Sequence, residues 1–346
     1  MKSTFRATTP SDAQALSALL TTVFDPLSSN PGWAEQAMFW KYWSPHPFWS
    51  GSRSYVLENE GRILAHGAVV PQWGRWKESR FRLVHLIDWA ATPGFPGVGA
   101  SLFRRVLQLA DAGFVVGGSD MTQHILPSLG FRDVGKATRY ARPLHPLRRL
   151  TRASQRSWRT LAQFARSLLW AAQAPGTIGS NWELKAVSVD SSIELPLPPE
   201  STPVVCFERT PEVLTYLASS PLMQTRIFEV EEHSKKRGYF LLATVPGQVR
   251  IADSWLDSSS PSEWCNLYLM AAGYARECSE AAEVVTVVSD DLRRQALQEA
   301  GFHSRGDYPI RFFTKNPGLQ AVSALRCEMI DSDAAYAHLE EGRFWA

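Results

Sequence analysis

Apolar residues near the start of the chain change their spacing once. Residues 4–7 read as a short strand, and Pro10-Ser11-Asp12 then opens a helix in which Ala15, Leu16, Leu19, Leu20 and Phe24 recur at helical spacing. Strand-like runs follow at residues 54–58 and 63–70, divided by Glu60-Gly61, a hairpin signal. A third strand is predicted over 81–91. A Gly/Pro loop leads from it into a helix over 101–110, a buried strand over 114–118, a short helix over 121–129 and a last strand that includes Tyr140.

The pattern then repeats in outline. SYVLENEGRILAHGAVV is echoed by IFEVEEHSKKRGYFLLATV, WSPHPF by SSPLMQ, and LIDWAATPG by IADSWLDSS, so that Asp253 corresponds to Asp88. A helix from Glu263 to about Cys278, a strand over 284–288, DDLRRQALQEAGF and a closing strand over 308–313 complete the second copy, with Gly301-Phe302 parallel to Gly130-Phe131. This is an internal duplication at the size of a domain. The predicted architecture is α/β of the α+β kind: a first domain over 1–142, a basic helical connector over 143–182 and a second domain over 183–346. Residues 183–203, rich in Pro and Ser, read as a linker at the head of the second domain.

The connector departs from the composition of the rest. No acidic residue occurs between Lys136 and Trp182. Leu147, Leu150, Trp158, Leu161, Ala165, Leu168 and Ala172 share one helical face, and Arg152, Arg156, Arg159 and Arg166 share another. Two readings follow: a connecting helix that buries its apolar stripe between the domains, or a peripheral contact with an anionic membrane or polyanion.

Charge elsewhere is balanced. Lys+Arg 36 against Asp+Glu 34 gives a net charge of +2 in 346 residues, so no global field recruits nucleic acid. The four cysteines form no CxxC pair and no paired histidines stand at metal-ligand spacing, so a metal is not expected. The start of the chain has no apolar signal core and no run spans a bilayer, which makes the cytoplasm the expected compartment.

Candidate chemistry concentrates in the Gly/Pro loop. WAATPGFPGVGAS, residues 89–101, resembles the acyl-CoA signature of the GNAT superfamily, L-x-V-x-P-x-x-R-G-x-G-x-(G/A): Pro93 matches, Phe95 takes the aromatic place, and Gly97 and Gly99 fall on both glycines. SDMTQHILPSLGF resembles the family's N-x-x-A-x-x-L-Y-x-x-x-G-F segment, with Gly130-Phe131 in register. Glycines at a strand-to-helix turn let unpaired backbone N–H groups approach a pyrophosphate, and the helix dipole favours the anion. Pro96 stands where the family has Arg or Gln and supplies neither a cation nor an N–H, Ser101 stands where it has Gly or Ala, and Leu126 stands where it has a Tyr acid. The corresponding loop of the second copy, DSSSPSEW, has no glycine, which marks that copy as a degenerate partner.

The resemblance implies two tandem GNAT-like folds and an acetyl-CoA (or other acyl-CoA) cosubstrate held by Trp89, Ala91, Phe95, Pro96, Gly97, Val98, Gly99, Ala100 and Ser101, with Ser119 near the pantetheine arm. It implies transfer of the acyl group to a small-molecule amine. Asp88 is the first candidate for the base, with His66 and His85 as alternatives and Tyr140 as a substitute proton donor. His85 and Asp88, three residues apart, point to opposite faces if their strand is regular. The resemblance also places the clustered Trp33, Trp40, Trp43 and Trp49 where acceptors are commonly held; aromatic faces suit sugar rings or apolar chains, and simple core packing is the other reading. Tandem GNAT-like chains of this kind resemble proteins of polysaccharide or cell-envelope synthesis and, distantly, the FemABX aminoacyltransferases. A non-catalytic binding or scaffold protein is the other class left open.

Overall fold

The computed structural model describes residues 3–24, 33–148, 158–172, 177–179, 181–188, 195, 203–278, 280–336 and 346. The first half begins with β1 (Thr4–Ala7) and α1 (Ala13–Phe24), which buries Ala13, Leu16 and Leu20. A short α2 (Glu35–Met38) runs into a π-helical turn, Phe39–Trp43. Then come β2 (Ser54–Asn59), β3 (Arg62–Trp76), β4 (Ser79–Ala91), α3 (Val98–Val106), β5 (Ala112–Val116), α4 (Asp120–Ile125) and β6 (Arg132–Pro143). After α5 (Trp158–Ala172) and β7 (Trp182–Val187), the second half runs β8 (Cys206–Phe207), α6 (Pro211–Ala218), β9 (Gln224–Glu232), β10 (Lys235–Val245), β11 (Gln248–Leu256), α7 (Pro261–Glu277), β12 (Glu283–Val288), α8 (Asp291–Glu299) and β13 (His303–Thr314).

All strands join one sheet in the order β1-β2-β3-β4-β5-β13-β6-β12-β11-β10-β9-β7, with β8 on β3. Two of the pairings are parallel, β4 with β5 and β11 with β12. Of these strands, β12, Glu-Val-Val-Thr-Val-Val, is buried at every position. The centre holds an exchange. β13 from the second half pairs with β5, and β6 from the first half pairs with β12, while β6 and β13 pair with each other. Each half is therefore completed by a strand of the other. A shared core lies behind the exchange, in which Phe114 and Leu83 pack with Tyr239, Val285 and Phe312.

Three expectations change. Trp182, at the end of the presumed connector, and residues 183–187 of the presumed linker form the edge strand β7, paired antiparallel with β9. On α5, Leu161, Leu168 and Leu169 are exposed by 62%, 45% and 69%, so the stripe is not buried between two domains. Trp170 stacks instead on His303 of β13. Leu150, Arg152 and Arg156, and the side chains of Trp158 and Arg159, lie outside the described residues. Tyr140 is buried in the core beneath α7 and α8 of the second half, remote from the role of proton donor to the first, because β6 crosses into that half.

Candidate functional site

β4 carries an irregularity that decides where its side chains go. Its pairing with β3 runs Ala68↔Ile87 and then His66↔Ala90, so Asp88 and Trp89 together oppose Gly67 in a β-bulge. Asp88 takes a left-handed φ of 50° there. A regular strand would send Asp88 to the face opposite His85 and Ile87. The bulge instead turns Asp88 to the α1/α2 side, where it meets Lys41 and Tyr42, and sends Trp89 to the α3 side against Phe103. His85 and Asp88 thus stand on one face.

The carboxylate of Asp88 accepts hydrogen bonds from Lys41 Nζ at 2.9 Å and from Tyr42 Oη at 2.6 Å. Its side chain is 13% exposed and that of Lys41 6%. Burial works to raise the Asp88 pKa; the Lys41 charge and the hydrogen bonds from Tyr42 and Lys41 overcome it and leave the group below the usual carboxylate range. Asp88 is an ionised carboxylate at neutral pH.

Both histidines on this face are buried and neutral. His66 Nδ1 donates to the Asp88 carbonyl at 2.9 Å, the carbonyl freed by the bulge, and its Nε2 lies 2.8 Å from Ser54 Oγ. With both nitrogens occupied and no exposed surface, His66 braces the bulge and is not placed as a base. Burial lowers its pKa to about 4. His85 accepts the N–H of Val116 on its Nε2 at 3.3 Å, and no described residue meets its Nδ1. Burial lowers its pKa to about 3.

That Val116 bond lies in a fork. β4 and β5 pair only from Leu83–His85 to Ala112–Phe114, then part, and β4 continues for six residues on β3 without β5. The loop after β4 leads into α3 through Gly97, φ 78°, and the N–H groups of Gly99 and Ala100 have no partner among the described residues. A Cβ at Gly94 or Gly97 would meet nothing within 4 Å, so the loop faces open space. Gly99 differs: Trp89 donates its indole N–H to the Gly99 carbonyl at 3.1 Å and fills the room a Cβ would take. Where Pro96 leaves the loop without a cation, Arg62 of β3 places its guanidinium 5.4 Å over the ring of Phe95. Ser119 caps α4 by accepting the Thr122 N–H and is exposed at the end of the Gly117-Gly118 turn. These features fit a pyrophosphate held by backbone N–H groups at a helix start.

The second half has the same fork, between β11 and β12 beyond Ile251 and Thr286, and it is filled. Glu328 bridges Val288 in antiparallel fashion. Ser289 Oγ donates to the Leu325 carbonyl at 2.9 Å and accepts the Cys327 N–H at 2.8 Å. Glu328 also pairs with the buried Arg293. Asp253, the counterpart of Asp88, is bonded by Arg209 and Tyr239 and lines a second small cavity with them. Sequence reasoning had only the missing glycine to mark this half; the plug from residues 325–328 carries no local signal.

Sequence reasoning also missed Lys41 and Tyr42. They sit in an aromatic-rich run, WKYW, and only the π-helical turn aims them at Asp88. Of the four clustered tryptophans, Trp40 lines a cavity, stacked on Tyr216 of α6 at 5.1 Å. Trp33 packs in the core, and the indoles of Trp43 and Trp49 bond to Thr8 Oγ1 and to Ser52 O with Tyr55 Oη. Among the described residues no cluster of three or more His, Cys, Asp or Glu is placed to hold a metal, and no helix is long and apolar enough to cross a membrane.

No family model matches the sequence, and no curated protein matches it. Solved structures do match. A GCN5-related N-acetyltransferase from Anabaena variabilis aligns with 12% identity over 91% of this chain and 73% of its own, at a TM-score of 0.59. Saccharomyces cerevisiae N-myristoyltransferase with bound myristoyl-CoA aligns with 12% identity over 90% and 82%, at 0.59. A tandem GNAT protein from the clavulanic acid biosynthesis pathway aligns with 12% identity over 91% and 99%, at 0.56. The chain has the GNAT fold, built twice in tandem.

Proposed function

We propose that the chain is an acyl-CoA-dependent N-acyltransferase with one coenzyme site, in the half spanning 1–142, and that the half spanning 183–346 is a structural partner joined through the 143–182 connector. The observation that carries this reading is the contrast between the forks: the one at β4/β5 opens beside a glycine loop with free N–H groups, and the one at β11/β12 is filled by residues 325–328. Acetyl-CoA is the simplest cosubstrate for it, and the acceptor is a small-molecule amine.

In this reading the N–H groups of Gly99 and Ala100 hold the pyrophosphate, and Arg62 supplies the cation that Pro96 lacks. The acceptor's ammonium is drawn to the ionised Asp88, which Lys41 and Tyr42 hold in place, and it loses a proton on that side. The amine nitrogen bonds to the thioester carbonyl carbon, the carbon–sulfur bond breaks and the departing thiolate takes up a proton. Holding the two reactants across the fork supplies most of the acceleration. Calorimetry with acetyl-CoA tests the reading: one molecule binds per chain, and the absence of binding retires it in favour of a scaffold role. An amino-sugar or envelope-precursor acceptor has in its support only the aromatic wall that Trp40 gives the cavity.

A peripheral contact through α5 is supported by the exposure of Leu161, Leu168 and Leu169 on a segment without acidic residues. Flotation with anionic and neutral vesicles tests it, and binding that ignores vesicle charge speaks against it.

A further inference from the structure

A narrow cleft lies where the two halves meet on the Asp88 side of the sheet. Lys41, which bonds Asp88, forms part of its wall, so the cavity adjoins the candidate reaction centre. Trp40 and Tyr216 stack to make one side, and Tyr336 meets Trp40 edge-on at 5.0 Å.

One cation at this cavity lacks a carboxylate partner among the described residues. Lys41, Arg53 and Arg209 line it, and among the described residues no carboxylate does. Lys41 is paired with Asp88, and Arg209 lies between Asp253 and Asp331. Arg53 has no such partner. It is 1% exposed, and its guanidinium donates to the carbonyls of Trp40, Lys41 and Ser44 and to the hydroxyls of Tyr216 and Ser44. Carbonyls solvate a buried cation without cancelling its charge, and one uncompensated charge in such surroundings is costly until an anion arrives.

The second observation is Gln72, on β3. It lines the same cavity, is 6% exposed, and its carboxamide makes no hydrogen bond to any described residue; Oε1 is sealed from solvent. Buried amides are nearly always satisfied, so an orphaned one facing a cavity marks a place where a ligand supplies the partners. Oε1 requires a donor and Nε2 an acceptor, and exchanging the two amide atoms leaves that requirement unchanged. His46, also in the wall, accepts the Phe48 N–H on Nδ1, so its neutral ring offers an Nε2–H. The field of Arg53 reaches it and helps to keep it neutral, after burial.

We propose that this cavity is the acceptor pocket and that it selects an amine carrying one carboxylate, the carboxylate lying in the field of Arg53 with hydrogen bonds from His46 and Gln72, and the amine N–H groups meeting Gln72 Oε1 on the way to Asp88. One guanidinium with no carboxylate of its own, Arg53, matches a monoanion better than a phosphate dianion. The proposal rests on the acyltransferase reading for the word acceptor; the ligand chemistry rests on the cavity alone.

The test is ligand-observed NMR on the intact protein without coenzyme, using primary amines as matched triples: amino acid, its primary amide and the decarboxylated amine. Amino acids with aromatic and aliphatic side chains are included, together with O-phosphoethanolamine as the dianion. The expected result is that amino acids bind, at least tenfold tighter than their amides and decarboxylated forms, and that O-phosphoethanolamine does not compete. Gln72→Leu weakens that binding tenfold or more, and Gln72→Glu abolishes it by placing a carboxylate against the ligand's own. Circular dichroism melts confirm that each variant is folded, and calorimetry shows acetyl-CoA binding unchanged in both. Amides or decarboxylated amines that bind as well as the acids overturn the proposal, as does a set in which no triple binds. Tight O-phosphoethanolamine binding replaces the carboxylate with a phosphate and also overturns it. Amino-acid binding with no acetyl-CoA binding leaves the pocket chemistry standing and retires the acyltransferase reading, so the two failures are told apart.

Discussion

Glu328 pairs with Val288 at the mouth of the fork that β11 and β12 would otherwise open. A slot closed by main-chain pairing and by the buried Arg293 partner of the same glutamate does not admit a pantetheine chain without unfolding that segment. Coenzyme titration by calorimetry therefore gives a stoichiometry of one. Gly97→Val, which forces a β-branched side chain into a left-handed backbone position, weakens that single binding event tenfold or more. A stoichiometry of two contradicts the assignment.

Lys41 keeps the pKa of Asp88 low. Lys41→Met removes that charge, so the carboxylate becomes more basic and its ionised form is lost at a higher pH. The acidic limb of the rate profile moves upward by about a unit or more, and Asp88→Asn lowers turnover by roughly 10²-fold while acetyl-CoA binding persists. An acidic limb that stays in place in Lys41→Met removes Asp88 from the chemistry.

Stability against pH follows from the buried histidines. His46, His66 and His85 are pushed by burial to about 3, 4 and 3, from 6.5. Their contribution is present above the unfolded value and lost as pH falls toward the folded ones, because the unfolded chain then takes up protons that the fold refuses. Asp331 and Asp333 oppose this, since burial raises them to about 7 and about 6, so their contribution is present in acid and lost as pH rises through those values. Between about pH 4.5 and 5.5 three groups outnumber two, and the melting temperature rises with pH. His85→Gln flattens the rise and Asp333→Asn steepens it. Thermal melts across that window check both, and a fall from pH 4.5 to 5.5 in the unmodified protein refutes the assignment.

The strand exchange makes the two halves one cooperative unit. Phe312 of β13 is fully buried beside Phe114 of β5, its register partner. Phe312→Ala costs about 3–5 kcal/mol. Differential scanning calorimetry shows one transition that moves to lower temperature as a whole; two transitions, with only one displaced, would falsify the single-unit reading.

Much of this was legible in the chain. Hydrophobic periodicity located most of the longer strands and helices of both copies, though not α2, β7, β8 or α6, because spacing is local, and Gly97 marked the loop because a left-handed turn leaves few residue choices. What stayed hidden was non-local. Nothing near Tyr140 says that β6 will pair with β12 rather than close its own half, since either edge would bury the same alternating face. The bulge at Asp88 was equally silent: its cause lies partly in His66, 22 residues away, which binds the carbonyl the bulge frees. Lys41 and Gln72 went unremarked because a lone lysine among aromatics and a lone glutamine in a strand are commonplace until the cavity between the halves is seen.

The exchange of β6 and β13 also bears on inheritance. Removing the half spanning 183–346 would strip β5 of its β13 neighbour and leave a bare sheet edge on the half spanning 1–142. On the proposed reading, changes that close the fork of the 183–346 half are tolerated, while its deletion is not. In a duplicated chain of this build, selection can fill the slot of one half and must keep its backbone.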